Sequence, residues 1–154
     1  MKRLLLILTV VCALLLSGCD AGREFAKNTD RVAALIGVGQ QLVQRQTEIN
    51  EMSATTGLQI AQTLLQLNTL NRELIDEGQR YLSNDRKRLE LTEDGKTRLL
   101  VIASSTQTVI SSLLSNPEFG KLSPTARQQW LETLRALSDS VKTTIKLIQT
   151  VEAK

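Results

Sequence analysis

Ser53-Ala54-Thr55-Thr56-Gly57 decides how this chain folds. Before it, Phe25, Val32, Ile36, Gly39, Val43, Gln46 and Ile49 recur at a three-four spacing. After it, Ile60, Leu64, Leu67, Asn71, Leu74, Gly78 and Tyr81 continue in the same phase, with Ser53 and Thr56 filling the intervening positions. Phase alone favours one helix over 24–82, about 90 Å long at about 1.5 Å per residue. Local chemistry favours a break. The pentapeptide holds no apolar side chain larger than alanine, two β-branched threonines precede its glycine, and Thr56-Gly57-Leu58-Gln59 fits a capping box that starts a new helix. Burial decides between the two. A single long helix would pack half its stripe on the rest of the chain and leave the other half in water, where a patch of that size usually marks a partner. Folding back near Ser53–Thr56 buries every stripe internally.

Outward from this point, the apolar spacing of three and four argues for amphipathic helices throughout. Only two prolines and eight glycines interrupt the chain. The C-terminal helix is the clearest, with Ser123 as N-cap, Pro124 at its first position and no breaker up to Glu152. Its stripe is Trp130, Leu134, Leu137, Val141, Ile145, Ile148 and Val151, and Lys142 and Lys146 suit its final turns through the helix dipole. Another helix is read from about Arg86 to Ser115, with a seam of Leu99, Ile102, Ala103, Thr106, Val109, Ile110, Leu113 and Leu114. Pro117 biases Asn116 out of helix and ends it. Thr92-Glu93-Asp94-Gly95 offers a later start with Thr92 as cap, whereas pairing of Arg86 with Glu90 requires the earlier one; both remain open. The expected fold is an all-α, up-down four-helix bundle over 24–152. The alternative is one long helix over 24–82 plus a shorter helical hairpin, covered by oligomerisation as a coiled coil.

Gln46, Asn71 and Thr106 fall where the stripes predict core. Either a buried Asn sets register at a cost in stability, or helix rotation carries these residues to the rim. Gly39 and Gly78 either permit close helix contact or are tolerated helix glycines. Arg80, Arg86, Lys87 and Arg88 cluster at the second predicted turn. In the four-helix reading the first helix rises from a membrane, the second returns, and that turn either lies near the headgroups, where basic residues attract anionic lipid, or is an ordinary solvated loop. In the long-helix reading it lies at the far tip and faces a partner.

The first residues carry a different signal. Lys2 and Arg3 precede an apolar run from Leu4 to Leu16 broken by Thr9, and Leu16-Ser17-Gly18-Cys19 closes it. Such a positive start, short apolar core and small-residue close is an export signal. The run spans roughly 20 Å as helix, short of the roughly 30 Å apolar core of a bilayer. The closing tetrapeptide resembles the lipobox of bacterial lipoproteins, which tolerates Leu16 and demands the cysteine. The resemblance implies cleavage of 1–18 ahead of Cys19, a thioether-linked diacylglyceryl group on Cys19, acylation of the new amine by palmitate-like chains, and a tether over 19–23. Two or more acyl chains anchor stably where one is marginal. Asp20 resembles the residue that retains enteric lipoproteins at the inner membrane, so that membrane is favoured over the outer one.

Of 19 basic and 16 acidic residues, Lys2 and Arg3 lie ahead of Cys19 and no acid does, leaving 17 bases against 16 acids from Cys19 onward. That balance carries no electrostatic footprint for nucleic acid. Cys12 lies in the signal and Cys19 would carry lipid, so no thiol remains for a disulfide. There is no histidine, which removes the commonest general base and transition-metal ligand. The paired carboxylates Glu48 with Glu51, Asp76 with Glu77, and Glu93 with Asp94 sit among polar neighbours and read as solvated helix faces or helix starts. Gly37-Val38-Gly39 lies inside a helical pattern with no preceding strand, so it is no phosphate loop. No cofactor, metal or catalytic residue is implied. The expected role is a membrane-anchored periplasmic adaptor or accessory subunit of a cell-envelope assembly, with a protein partner and Arg86, Lys87 and Arg88 as headgroup or partner contacts. Homo-oligomerisation is compatible with it. In size, anchor and helicity the chain resembles the pilotins that escort secretion-channel subunits, although no pilotin motif is present. Two alternatives are an exclusion or immunity lipoprotein of a plasmid or phage, and a ligand-binding helical bundle. The last is disfavoured because aromatics make up only 3% of the chain.

Overall fold

The computed structural model describes residues 20–154, and Cys19 with the export signal expected over 1–18 lies outside them. Four helices follow in order: α1 over Ala21–Glu48, α2 over Ala54–Gln79, α3 over Glu93–Leu114 and α4 over Pro124–Thr150, with a short 3-10 helix over Pro117–Lys121 before α4. Each helix packs on the next and α4 closes on α1, so α1 lies diagonally across from α3 and α2 from α4. This is the up-down four-helix bundle, and the continuous helix over 24–82 does not form.

The reversal between α1 and α2 is made by backbone chemistry. Asn50 takes a left-handed φ of 58°, a conformation that Asn tolerates better than most residues. The amides of Glu51 and Met52 then both donate to the Gln46 carbonyl, at 2.9 and 3.1 Å. Ser53 caps α2: its Oγ accepts from the Thr56 amide at 3.1 Å and donates to Thr56 Oγ1 at 2.9 Å. The cap is therefore Ser53 and not Thr56, three residues ahead of the expected box. Ile49 departs from the expected stripe as well. It is 56% exposed, while Met52 is 5% exposed, because the helix has already ended at Glu48 and the spacing no longer predicts direction.

The start of α3 is settled by the later of the two caps. Thr92 Oγ1 accepts from the Gly95 amide at 3.1 Å, with Glu93 and Asp94 in the first turn. A helix from Arg86 does not form, since Arg86 itself has a φ of 55°. The cap on α4 is Ser123, accepting from the Ala126 amide at 3.3 Å with Pro124 at the first position. At the far end of α4 the last turn holds no basic residue of its own, contrary to the expectation for Lys142 and Lys146. Lys96 from α3 supplies the charge instead, donating to the carbonyls of Gln149 at 3.0 Å and Val151 at 2.7 Å.

The core falls into two clusters. The distal one, near the α1–α2 turn, gathers Ile36, Ile60, Leu64, Ile110, Leu134 and Leu137 about Trp130, on which Phe119 packs with ring centroids 4.9 Å apart. The proximal one gathers Ala21, Phe25, Leu74, Leu89, Leu91, Leu99, Ala103 and Ile148. On every helix a buried polar residue separates the two: Thr29, Asn71, Thr106 and Thr144. Gln46, Asn71 and Thr106 are thus all buried, and the rim reading is excluded for each. Gln46 accepts from the Trp130 indole at 2.6 Å, and Asn71 donates to the Thr29 carbonyl at 3.1 Å. Gly39 and Gly78 permit close contact: a Cβ on Gly39 would stand 3.1 Å from Leu64 Cδ2, and one on Gly78 would enter the Phe25 ring.

Candidate functional site

The proximal end of the bundle is where the chain comes in, and it is built around the first turn of α1. The helix begins at Ala21, inside the stretch 19–23 expected to be tether, because Ala21 and Gly22 are buried. Asp20 occupies the N-cap position without a side-chain cap bond, is exposed, and lies 3.6 Å from Arg23.

The loop after α2 folds back on this turn. Leu82 and Leu89 form an antiparallel bridge, Ser83 donates its amide to the Arg88 carbonyl at 3.0 Å, and Glu90 donates to the Tyr81 carbonyl at 2.7 Å. Asp85 organises the tip by accepting from the Ser83 hydroxyl at 2.6 Å and from the Lys87 amide at 3.0 Å. These bonds, the hydroxyl's first, hold the Asp85 carboxyl below its usual value. The loop is then fastened to α1: the Gly22 amide donates to the Lys87 carbonyl at 2.9 Å. A Cβ on Gly22 would stand 2.7 Å from the Arg86 carbonyl oxygen and 2.9 Å from that of Arg88. Only glycine lets the loop backbone come this close.

Arg86, Lys87 and Arg88 are consequently held beside residue 22, all exposed. Lys87 lies 3.8 Å from Asp85 and Arg88 3.9 Å from Glu90, while Arg80 pairs with Glu77 at 2.9 Å. Arg86 forms no ion pair among the described residues and stands at the tip in the left-handed region. That conformation costs of order 1–3 kcal/mol for an ordinary side chain, and such outliers concentrate where a site uses them. The cluster was legible as a run of charge. Its attachment to α1 was not, because Gly22 carried no sequence signal distinguishing it from a linker glycine.

Four of the six carboxylates in the expected pairs have structural partners, while Asp76 and Glu93 lie exposed. Glu77 accepts from the Tyr81 hydroxyl at 3.1 Å and pairs with Arg80 and Arg98. Asp94 pairs with Arg98 in the first turn of α3, which raises the Arg98 pKa through that hydrogen bond and the charge of Asp94. Glu51 accepts from Ser123 Oγ at 3.2 Å, and Glu48 from Gln44 at 2.9 Å. Among the described residues no group of three or more His, Cys, Asp or Glu side chains is placed to hold a metal ion. A groove of about 390 Å³ opens between α1 and α2 at the distal end, lined by Val43, Gln44, Thr47, Glu48, Ala54, Gly57, Leu58 and Ala61, with Gln44 and Glu48 bonded to each other. It contains no convergent set of polar groups, which a small-molecule site uses to fix orientation. No protein-family model matches this chain, and no curated protein or solved structure is significantly similar to it.

Proposed function

We propose that this chain is a lipid-anchored, non-enzymatic helical module facing the periplasm, an adaptor or accessory subunit of a cell-envelope assembly. The observation that carries the reading is the fastening of the Arg86-Lys87-Arg88 loop to the first turn of α1. Cys19 directly precedes Asp20, so acyl chains on Cys19 would hold the proximal end against the bilayer. The basic loop would then lie at headgroup level, where a Lys or Arg contributes about 1 kcal/mol of attraction to anionic lipid. Asp85 and Glu90 offset part of this for Lys87 and Arg88, so Arg86 contributes most.

The mechanism is positioning. Lipid and basic loop confine and orient the bundle, and α1, with 28 residues at about 1.5 Å each, raises the α1–α2 turn about 40 Å from the anchor. Asp20, exposed at the start of α1, is open to a sorting factor, in keeping with an inner-membrane address. Cys19→Ser tests the anchor: it should abolish palmitate labelling and partitioning into detergent. Labelling at the wild-type level would overturn the proposal. Arg86→Glu in the lipidated chain should weaken association with vesicles containing anionic lipid and leave association with neutral vesicles unchanged.

A further inference from the structure

Charge is distributed unevenly around the bundle. On α1 no charged residue lies between Arg31 and Arg45, on α2 and its cap none between Glu51 and Arg72, and on α3 none between Arg98 and Glu118. On α4 exposed charges recur along the whole helix: Arg127, Glu132, Arg135, Asp139, Lys142 and Lys146. Since α2 is diagonally across from α4, the uncharged arc is centred on α2 and the charged helix faces the other way.

Along that arc α2 carries a second apolar stripe. Its inner face is Ile60, Leu64, Leu67 and Leu74, all buried. Leu58 and Leu65 face outward, 61% and 59% exposed. Ala61 and Asn68, both half-buried, fall between and after them. Leu58, Ala61, Leu65 and Asn68 follow the alternating three-four spacing of the a and d positions of a coiled coil. Ala61 packs partly against the distal core, while Leu58 and Leu65 are left largely in solvent by the bundle.

We propose that α2 pairs in parallel with α2 of a second copy of this chain, through Leu58, Ala61 and Leu65. This rests on the anchored reading, which forces two copies in one membrane to stand side by side in the same direction. Their two-fold axis then runs along the bundle, and each residue of α2 meets its own counterpart at the same height. An isologous contact of this kind sets a surface against itself, so any net charge on it would repel. The stretch between Glu51 and Arg72 meets that condition, and Arg72 against its counterpart marks the lower limit of the contact. The small Ala61 side chain lets the two helices approach. A two-fold axis across the bundle would place the two anchors at opposite ends, which one membrane does not permit.

The test is thiol crosslinking of the full chain in bacterial membranes. Leu58→Cys and Leu65→Cys, treated with a short bismaleimide, should each give a product of twice the chain's mass, containing both tags when two tagged forms are co-expressed. Asp139→Cys on α4 should stay monomeric. Leu65→Glu, at an exposed position, should remove the product formed through Leu58→Cys while leaving the helical melting curve unchanged. No doubled product from either leucine position would overturn the pairing, as would equal crosslinking from Asp139→Cys. A product joined to a different protein would also overturn it and assign the stripe to a heterologous partner. The chain without an added cysteine reports on the anchor separately. If it crosslinks through Cys19, that thiol is free and the anchored reading fails. Sedimentation of the chain in detergent, with and without Leu65→Glu, then decides the pairing by itself.

Discussion

Asn71 on α2 donates from Nδ2 to the main-chain oxygen of Thr29 on α1, 3.1 Å away, with the two residues 1% and 2% exposed. The bond crosses the polar layer that separates the two apolar clusters and ties α1 to α2 at one register. It is incompletely satisfied: Asn71 Oδ1 has no hydrogen-bond partner. A buried acceptor without a partner costs about 1–3 kcal/mol, whereas an apolar group of the same shape does not. Asn71→Leu, which keeps the branched outline, should therefore leave chemical-denaturation stability unchanged or raise it by about 1 kcal/mol. A loss greater than that would show the Thr29 bond to be a net contributor.

Gln46 is a second half-paired amide in an apolar stripe, since its buried Nε2 has no hydrogen-bond partner among the described residues. Its Oε1 accepts from the Trp130 indole at 2.6 Å, and Trp130 is fully buried. Gln46→Leu strands that N–H at a cost of about 1–3 kcal/mol, offset in part by removal of the unpaired Nε2, so the double-mutant cycle is the decisive measurement. Adding Trp130→Phe removes the stranded donor, so the double variant should lose less than the two single losses combined. Strict additivity in a double-mutant cycle would mean that the indole finds another acceptor.

These two residues show what the sequence makes legible. Their stripe positions placed both in the core, yet nothing local told which partner each would find across the bundle or that each amide would be only half paired. Signals within four residues read well: Ser123 with Pro124 began α4 where expected, and Thr92 was one of the two expected starts of α3. The fold-back was read in the right pentapeptide but capped at the wrong residue. Ser53 and Thr56 are both cap-forming types, and the left-handed Asn50 decides between them. Contacts distant in sequence were not legible at all. Lys96 capping the end of α4, and Gly22 receiving the basic loop, depend on helices meeting across the bundle. The site residues Arg86, Lys87 and Arg88 were visible as charge, and their place beside residue 22 follows only from topology.

The loop tip should loosen in acid. The Asp85 carboxyl is held below its ordinary value by the Ser83 hydroxyl, the Lys87 amide and the nearby charges of Lys87 and Arg88. A depressed folded-state value means that the contribution is fully present above the ordinary carboxyl range and is lost as pH falls through the lowered value. Amide protection of Lys87 and Arg88 should fall over that acidic window. Asp85→Asn should lower protection already at neutral pH and flatten the pH dependence. If the variant keeps the wild-type profile, Asp85 does not organise the tip.

Two glycines on α1 should respond to the same substitution with opposite signs. Gly37 has nothing within 4 Å of where a Cβ would stand. Gly37→Ala removes the conformational cost of a helix glycine and should stabilise by roughly 0.5–1 kcal/mol. Gly22 has the Arg86 and Arg88 carbonyl oxygens at 2.7 and 2.9 Å from that point, and both are backbone atoms of a bonded loop that cannot rotate aside as a side-chain tip would. Gly22→Ala gains the same helix propensity but must push the loop away, breaking the amide bond to the Lys87 carbonyl. Over-packing of this kind typically costs about 1–3 kcal/mol, which exceeds the propensity gain. The net effect should be destabilising and local, with faster amide exchange at residue 22 and across 83–90 and little change in α3 or the distal half of α4. On the proposed anchoring, binding of the lipidated chain to anionic vesicles should weaken in parallel, because the loop that carries Arg86 no longer sits beside residue 22. If Gly22→Ala stabilises as Gly37→Ala does, the loop does not rest on α1, and the basic cluster loses its fixed place beside residue 22.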